Sequence, residues 1–235
     1  MGINKHRSAV DHSDRPRQWT KDRSFKPDER YGQGIDLDSV EVCDDEHWTF
    51  VACDMDDPCQ DCGSLSAHVD CIIIAVDGAC RNNGTLEAKA AAGVFVGDES
   101  TFNDSFILTG SNTTNQTAEL RAGIRGLEQA LAIRSQGVRG EILQQVVVKA
   151  DSEYLVNGMT SWVFKWESNG YRTSRGTPVS NASLFRKLQD LTKELNALNV
   201  EVLFWHVPRE RNKQADMWAN LALHNGWTEG SKSPI

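Results

Sequence analysis

The sequence predicts an α/β fold, a mixed sheet of five strands flanked by helices, over residues 71–226. Three observations lead there. Short β-branched runs are interspersed with longer segments whose apolar residues recur at helical spacing. Gly and Pro fall at the joins between them. Two of the β-branched runs stop directly on an acid, at Asp77 and at Asp151.

Cys71–Asp77 (CIIIAVD) has the length and composition of a buried strand. Ala90–Gly97 and Phe102–Thr109 read as two more strands, with Gly97-Asp98 in the turn. A helix then runs from Gln116 to about Ser135. Leu120, Ile124, Leu127 and Leu131 form its apolar stripe, Thr114-Asn115 opens it and Gly137 stops it. Gln145–Ala150 (QVVVKA) is the fourth strand. Asp151-Ser152 opens a short helix through Met159, and a second, about Ser161–Glu167, carries Trp162 and Trp166 on one face. After a polar loop, Asn181 caps a long helix to about Ala197. Val200–Val207 is the fifth strand, ended by Pro208, and the last helix covers about Lys213–His224.

The flanks differ from this domain. Residues 1–30 carry many charges and few large apolar groups, so disorder is expected there. Residues 31–70 combine Trp48, Phe50 and Val51 with four Cys and many acids, and read as a small acidic Cys-rich appendage. Residues 227–235 form a tail. The formal charge of −8 resides in residues 1–70, while residues 71–226 are balanced. The sequence pI of 5.3 therefore does not exclude nucleic acid as a partner of the main domain.

No apolar run reaches the roughly 20 residues of a membrane helix. The polar start lacks a secretory core, so a nuclear or cytoplasmic, reducing compartment is expected. Cys59-Gln-Asp-Cys62 is a CxxC, and Zn²⁺ would fit Cys43, Cys53, Cys59 and Cys62. Buried thiols and disulfides are the alternatives. The acidic segment is expected to pack on the main domain and repel non-specific nucleic acid.

Four acids define the candidate site. Asp77 and Asp151 follow strands, Glu119 lies in the first turn of a helix, and Asp216 lies near the start of the last helix. Any one of them alone could be a helix cap. Together at one sheet edge they would repel and raise each other's pKa. Divalent cations relieve that repulsion, and oxygen-only ligands select Mg²⁺ or Mn²⁺ over zinc. Two ions about 4 Å apart would suit phosphodiester hydrolysis.

From Cys71 to about Asn225 the chain resembles type 1 ribonuclease H. The strings that carry the resemblance are Asp77-Gly78-Ala79-Cys80-Arg81-Asn82-Asn83-Gly84 and Thr114-Asn115-Gln116-Thr117-Ala118-Glu119-Leu120. They continue with Asp151-Ser152-Glu153-Tyr154-Leu155-Val156-Asn157-Gly158, then His206-Val207-Pro208 and Gln214-Ala215-Asp216. The resemblance implies an RNase H-like fold. It also implies endonucleolytic cleavage of RNA paired to DNA, leaving a 5′-phosphate, with two Mg²⁺ held by Asp77, Glu119, Asp151 and Asp216. The implied partner is an RNA/DNA hybrid, with no membrane, for a protein expected to be a monomer. The alternative use of such a fold is a binding or interaction module with weak or no catalysis.

The resemblance also assigns substrate contacts. Asn83, Asn115 and Gln116 would read 2′-hydroxyls, to which amides offer both a donor and an acceptor. Trp162, Trp166 and Ser174 would line a channel for the DNA strand, with Lys165, Arg172 and Arg175 attracting phosphates. Thr114 and Asn181 match a DNA-phosphate pocket whose usual Arg falls on Asn112. Three sequons, at Asn83, Asn115 and Asn181, coincide with these contacts; glycans there would block the groove, which again favours the nucleus or cytosol. Many relatives carry a mobile His in a Gly-rich loop before the last acid. Here that stretch is Pro208–Lys213 and has no His; Glu210 and Arg211 are the groups in it that could contribute. His206 is expected to be structural.

Overall fold

The computed structural model describes residues 5–6 (backbone only), 19, 22–44, 47–55, 57–60, 63–110 and 113–228. The central strand, β4 (Ala67–Arg81), is 15 residues long. On one side it pairs antiparallel with β5 (Lys89–Phe95), which pairs antiparallel with β6 (Asp104–Ile107). On the other it pairs parallel with β7 (Gln145–Ala150), which pairs parallel with β8 (Glu201–His206). These are the five expected strands, in a mixed sheet.

Three further strands correct the strand count. β2 (Glu41–Cys43) and β3 (Thr49–Ala52) form an antiparallel pair, and β3 adds to the N-terminal half of β4 through Ala67, His68 and Ile72. β1 (Lys5–His6) pairs parallel with β4 at Ala67 and His68. Among the described residues the sheet thus has eight strands. The boundary expected at residues 70 and 71 falls inside β4, so residues 31–70 are part of the domain and not an appendage.

Side-chain alternation along the strands builds two cores. Ile72, Ile74, Val76, Val146 and Val148 face α2 (Asn115–Gln136) and α5 (Ala182–Ala197), where Leu120, Leu127 and Leu188 meet them. Cys71, Ile73, Val147, Trp205 and Val207 point to the other face, and Phe25, Val40 and Val51 cover them. Phe25 precedes α1 (Pro27–Tyr31). α6 (Lys213–Asn225) packs on β5, β4 and β6.

Residues 22–30 are ordered, contrary to the disorder expected of them. The Phe25 N–H donates to the Phe204 carbonyl at 2.9 Å, and the Phe204 N–H to the Arg23 carbonyl at 2.7 Å, extending the edge at β8. The Phe25 ring sits 5.2 Å from that of Trp205. Arg23 is buried in the same segment and donates to Gln189 Oε1 at 2.6 Å, so a strand edge, an apolar ring and a buried side-chain hydrogen bond together order a charged segment. The rest of the expected disorder, residues 1–18 and 20–21, lies outside the described residues apart from the backbone of 5–6.

The hairpin also supplies a counter-charge. Lys149, 4% exposed on β7, pairs with Glu41 of β2 at 2.6 Å. A buried ammonium without such a partner is strongly destabilising. Among the described residues no helix is long and apolar enough to cross a membrane.

Candidate active site

The four acids reach one cleft of about 500 Å³ from four elements. Asp77 lies in β4, opposite Gly93 of β5. Glu119 is in the first turns of α2. Asp151 follows β7, and Ser152 caps α3 (Glu153–Asn157) by accepting the Leu155 N–H. Asp216 lies in the first turn of α6. Carboxylate oxygens of Asp77, Glu119 and Asp151 all fall within 4.8 Å of one another. Asp216 stands outside this triplet on the same cleft.

Two glycines permit this convergence. A Cβ on Gly78 would come within 2.2 Å of the Glu119 backbone nitrogen. A Cβ on Gly93 would come within 2.4 Å of the Ala215 carbonyl and the Ala219 nitrogen. Helices α2 and α6, each bearing an acid, therefore lie directly on backbone.

The charges are strained without a cation. Burial, then the Asp151 and Asp216 charges, push Asp77 up to about 7, against a weaker lowering by the Gly78 N–H. Glu119 is raised well above the carboxylate range by burial, followed by Asp77 and Asp151. Its Oε2 accepts the Gly78 N–H at 3.1 Å. Oxygen donors this close and this poorly neutralised fit hard divalent ions.

Three residues the sequence reading did not assign hold the acids. Asn212 is fully buried; its Nδ2 donates to the Val76 carbonyl at 3.0 Å and to Asp151 Oδ1 at 3.3 Å. Asn220 Nδ2 donates to Asp216 Oδ2 at 3.2 Å. Arg209 Nη2 lies 2.7 Å from Asp216 Oδ1. Asn220 was findable in the sequence, one helical turn after Asp216. Arg209 and Asn212 were not, because the short loop around them has no periodicity. Arg211, which with Glu210 could have stood in for the missing mobile His, turns away to Asp38 at 2.5 Å. His206 closes β8 opposite Ala150.

At the rim, Asn83 Oδ1 accepts the Asn115 N–H at 3.2 Å, which joins the β4–β5 turn to the start of α2. Asn83, Asn115 and Gln116 are exposed, and the last two line the cleft. Thr114 is engaged as the cap of α2: its Oγ1 accepts the Thr117 N–H at 3.1 Å. Thr113, Thr117, Arg121 and Asn181 line a separate depression at the start of α5. Asn181 precedes α5 with φ 58° and no side-chain cap bond, so it does not cap the helix as expected. Asn112 lies outside the described residues.

α3, one π turn (Gly158–Trp162) and α4 (Val163–Ser168) run on as a single rod. Trp162, Lys165, Trp166, Arg172 and Ser174 border one shallow groove. Trp162 is 38% exposed, while Trp166 packs at 5.0 Å on the Phe185 ring. The pair is thus half platform and half core.

The four-cysteine zinc set is not brought together. Cys43 pairs across the hairpin with Thr49, and Cys53 lies four residues further along that strand. That is roughly 13 Å at strand rise, too far for two ligands of one ion with bonds near 2.3 Å. Cys62 lies outside the described residues.

Residues 70–224 match the RNase H family model. The chain belongs to the RNase H family. It is 33% identical over 152 residues to ribonuclease H1 of Mus musculus, covering 63% of this chain and 48% of that one. It is 31% identical over 156 residues to ribonuclease H of Pseudomonas savastanoi pv. phaseolicola, covering 66% of this chain and 93% of that one. The chain thus spans about half the length of the mammalian relatives it matches. Among solved structures, a foamy viral protease-reverse transcriptase in complex with dsDNA matches at TM-score 0.51 and 19% identity, over 65% of this chain and 94% of that one. That likeness concerns the RNase H fold alone.

Proposed function

We propose that this chain is an endoribonuclease that hydrolyses the RNA strand of RNA/DNA hybrids, using two divalent ions at Asp77, Glu119, Asp151 and Asp216. The observation that carries it is the convergence of these acids in one cleft, three of them within 4.8 Å, beneath a rim of exposed amides. Oxygen-only donors favour Mg²⁺, with Mn²⁺ as a substitute. When bound, such ions supply Lewis-acid stabilisation of the phosphodiester oxygens and a water nucleophile at neutral pH.

The chain's own residues orient the reaction. Gly78 and Asn115 hold Glu119 through its two oxygens, at 3.1 and 3.4 Å. Asn212 fixes Asp151, and Asn220 fixes Asp216. Asn83, Asn115 and Gln116 offer donors and acceptors to 2′-hydroxyls of the RNA strand. Trp162 offers a ring face to a deoxyribose, and Lys165, Arg172 and Arg175 draw the DNA backbone across the groove. Arg121, beside Asn181 and Thr117, provides the cation of the DNA-phosphate pocket in place of Asn112.

The test is cleavage of four duplexes, RNA/DNA, RNA/RNA, DNA/DNA and DNA with one ribonucleotide, in Mg²⁺ and in Mn²⁺. RNA/DNA should be cut to 5′-phosphate products by wild type and not by Asp77→Asn. Equal cleavage by both proteins would refute the site.

A further inference from the structure

Nine residues before Asp77, at the other end of β4, a second group of metal-ligating atoms assembles. One ligand atom from each of Cys53, Asp54 and His68 lies within 4.8 Å of the others. The strand register makes the cluster. Val51 pairs with His68, so Cys53, two residues on, lies on the same sheet face and diagonal to His68. The Cys53 N–H donates to the Ser66 carbonyl at 2.7 Å, which fixes that diagonal. Asp54 follows where the chain leaves the strand, and its Oδ1 lies 3.4 Å from His68 Nε2.

We infer that Cys53, Asp54 and His68 bind a zinc ion. One thiolate, one imidazole and one carboxylate are zinc's ligand classes, whereas Mg²⁺ prefers oxygen alone. Cys53 is fully buried and His68 is 2% exposed, so two ligands are pre-positioned in a dry wall. Asp54 opens to solvent at 27% side-chain exposure, which leaves the ion a fourth position for water.

The surroundings agree with this chemistry. The Met55 N–H donates to Cys53 Sγ at 3.4 Å, which fixes the sulfur at the mouth of the cluster. Arg30 Nε holds Asp54 Oδ2 at 2.8 Å, leaving Oδ1 for the ion. Arg30 adds positive charge beside the site; Asp70, which also acts on His68, adds negative charge. Two anionic ligands neutralise Zn²⁺, and the Arg30 and Asp70 charges offset each other. The site lies roughly 30 Å along β4 from Asp77, so its ion ties the β3–β4 edge to the loop after β3 and takes no part in hydrolysis. The inference is independent of the nuclease reading.

The test uses the full chain, expressed with zinc and purified without chelator. Elemental analysis should find one zinc per chain. Cys53→Ser and His68→Gln should each reduce it to below about one tenth. Cys43→Ser, Cys59→Ser and Cys62→Ser should keep it. Co²⁺ loaded into wild type should give a near-ultraviolet thiolate charge-transfer band that Cys53→Ser lacks. Circular dichroism and Mg²⁺-dependent hybrid cleavage, both expected at wild-type levels, check that the variants fold. If either does not fold, the Co²⁺ band in wild type and in Cys62→Ser decides. Absence of that band, no stoichiometric zinc in wild type, or loss of zinc from Cys62→Ser with retention in His68→Gln overturns the inference.

Discussion

The Gly78 N–H donates to Glu119 Oε2 at 3.1 Å, and a Cβ on Gly78 would stand 2.2 Å from the Glu119 nitrogen. Strand and helix meet here with no room for a side chain between them, and the acid is aimed by the contact. Gly78→Ala must push α2 outward and carry Glu119 with it. A shift of about 1 Å in a catalytic group costs on the order of 10²-fold in rate. The expected outcome is kcat for hybrid cleavage down by about that factor with KM nearly unchanged. Steady-state kinetics on a fluorescent hybrid checks it.

The Asp77 carboxyl, raised from 3.8 to about 7, links stability of the metal-free protein to pH. A raised acid means that the folded state binds the proton more tightly than the unfolded chain. Stability is therefore lost as pH rises from about 4 through about 7. Thermal unfolding in a chelator should show this decline between pH 4 and 8. Asp77→Asn should flatten it and raise the melting temperature at pH 8. Excess Mg²⁺ should have a similar effect on wild type.

Arg209 and Asp216 form an ion pair that a divalent ion must compete with. Arg209→Ala should lower the Mg²⁺ concentration for half-maximal cleavage, by roughly two- to five-fold for an exposed pair worth about 1 kcal/mol or less. A metal titration of initial rates reads this directly. An unchanged or higher Mg²⁺ requirement would contradict the competition.

Asn212 acts through Asp151. Asn212→Ala removes the buried donor to the Val76 carbonyl and to Asp151, a cost of about 1–3 kcal/mol. Both the chemical denaturation midpoint and kcat should fall. Asn212→Asp should be worse for activity, since it sets a further carboxylate against Asp151.

Removing residues 1–66 should not yield a free catalytic domain. It uncovers Ile73, Val147, Trp205 and Val207 and strips Glu41 from the buried Lys149. Breaking such a buried pair alone costs about 3–5 kcal/mol. The truncated chain should aggregate or unfold near 37 °C. A milder probe, Phe25→Ala, should cost about 3 kcal/mol in urea denaturation while sparing Mg²⁺-dependent kcat at 25 °C.

The sequence by itself determined the catalytic layer. Runs such as Cys71–Val76 and the Leu120–Leu131 stripe are local signals, readable within a dozen residues, and the elements they specify are β4 and α2. Motif strings marked the four acids, although the expected strand end at Asp77 proved to be the interior of β4 and only Asp151 directly follows a strand. Only the tertiary structure decided the rest. Whether Phe25 and Val51 cover Ile73, and whether Cys53 meets His68 and not Cys43, depends on strand register between segments separated in the chain. Arg209 meets Asp216 and Asn212 meets Asp151 only across the fold, and no periodicity records that. Periodicity is local, whereas pairing and close approach are long-range; composition therefore misread residues 22–30 as disordered and residues 31–70 as an appendage, when β2 and β3 extend the sheet itself.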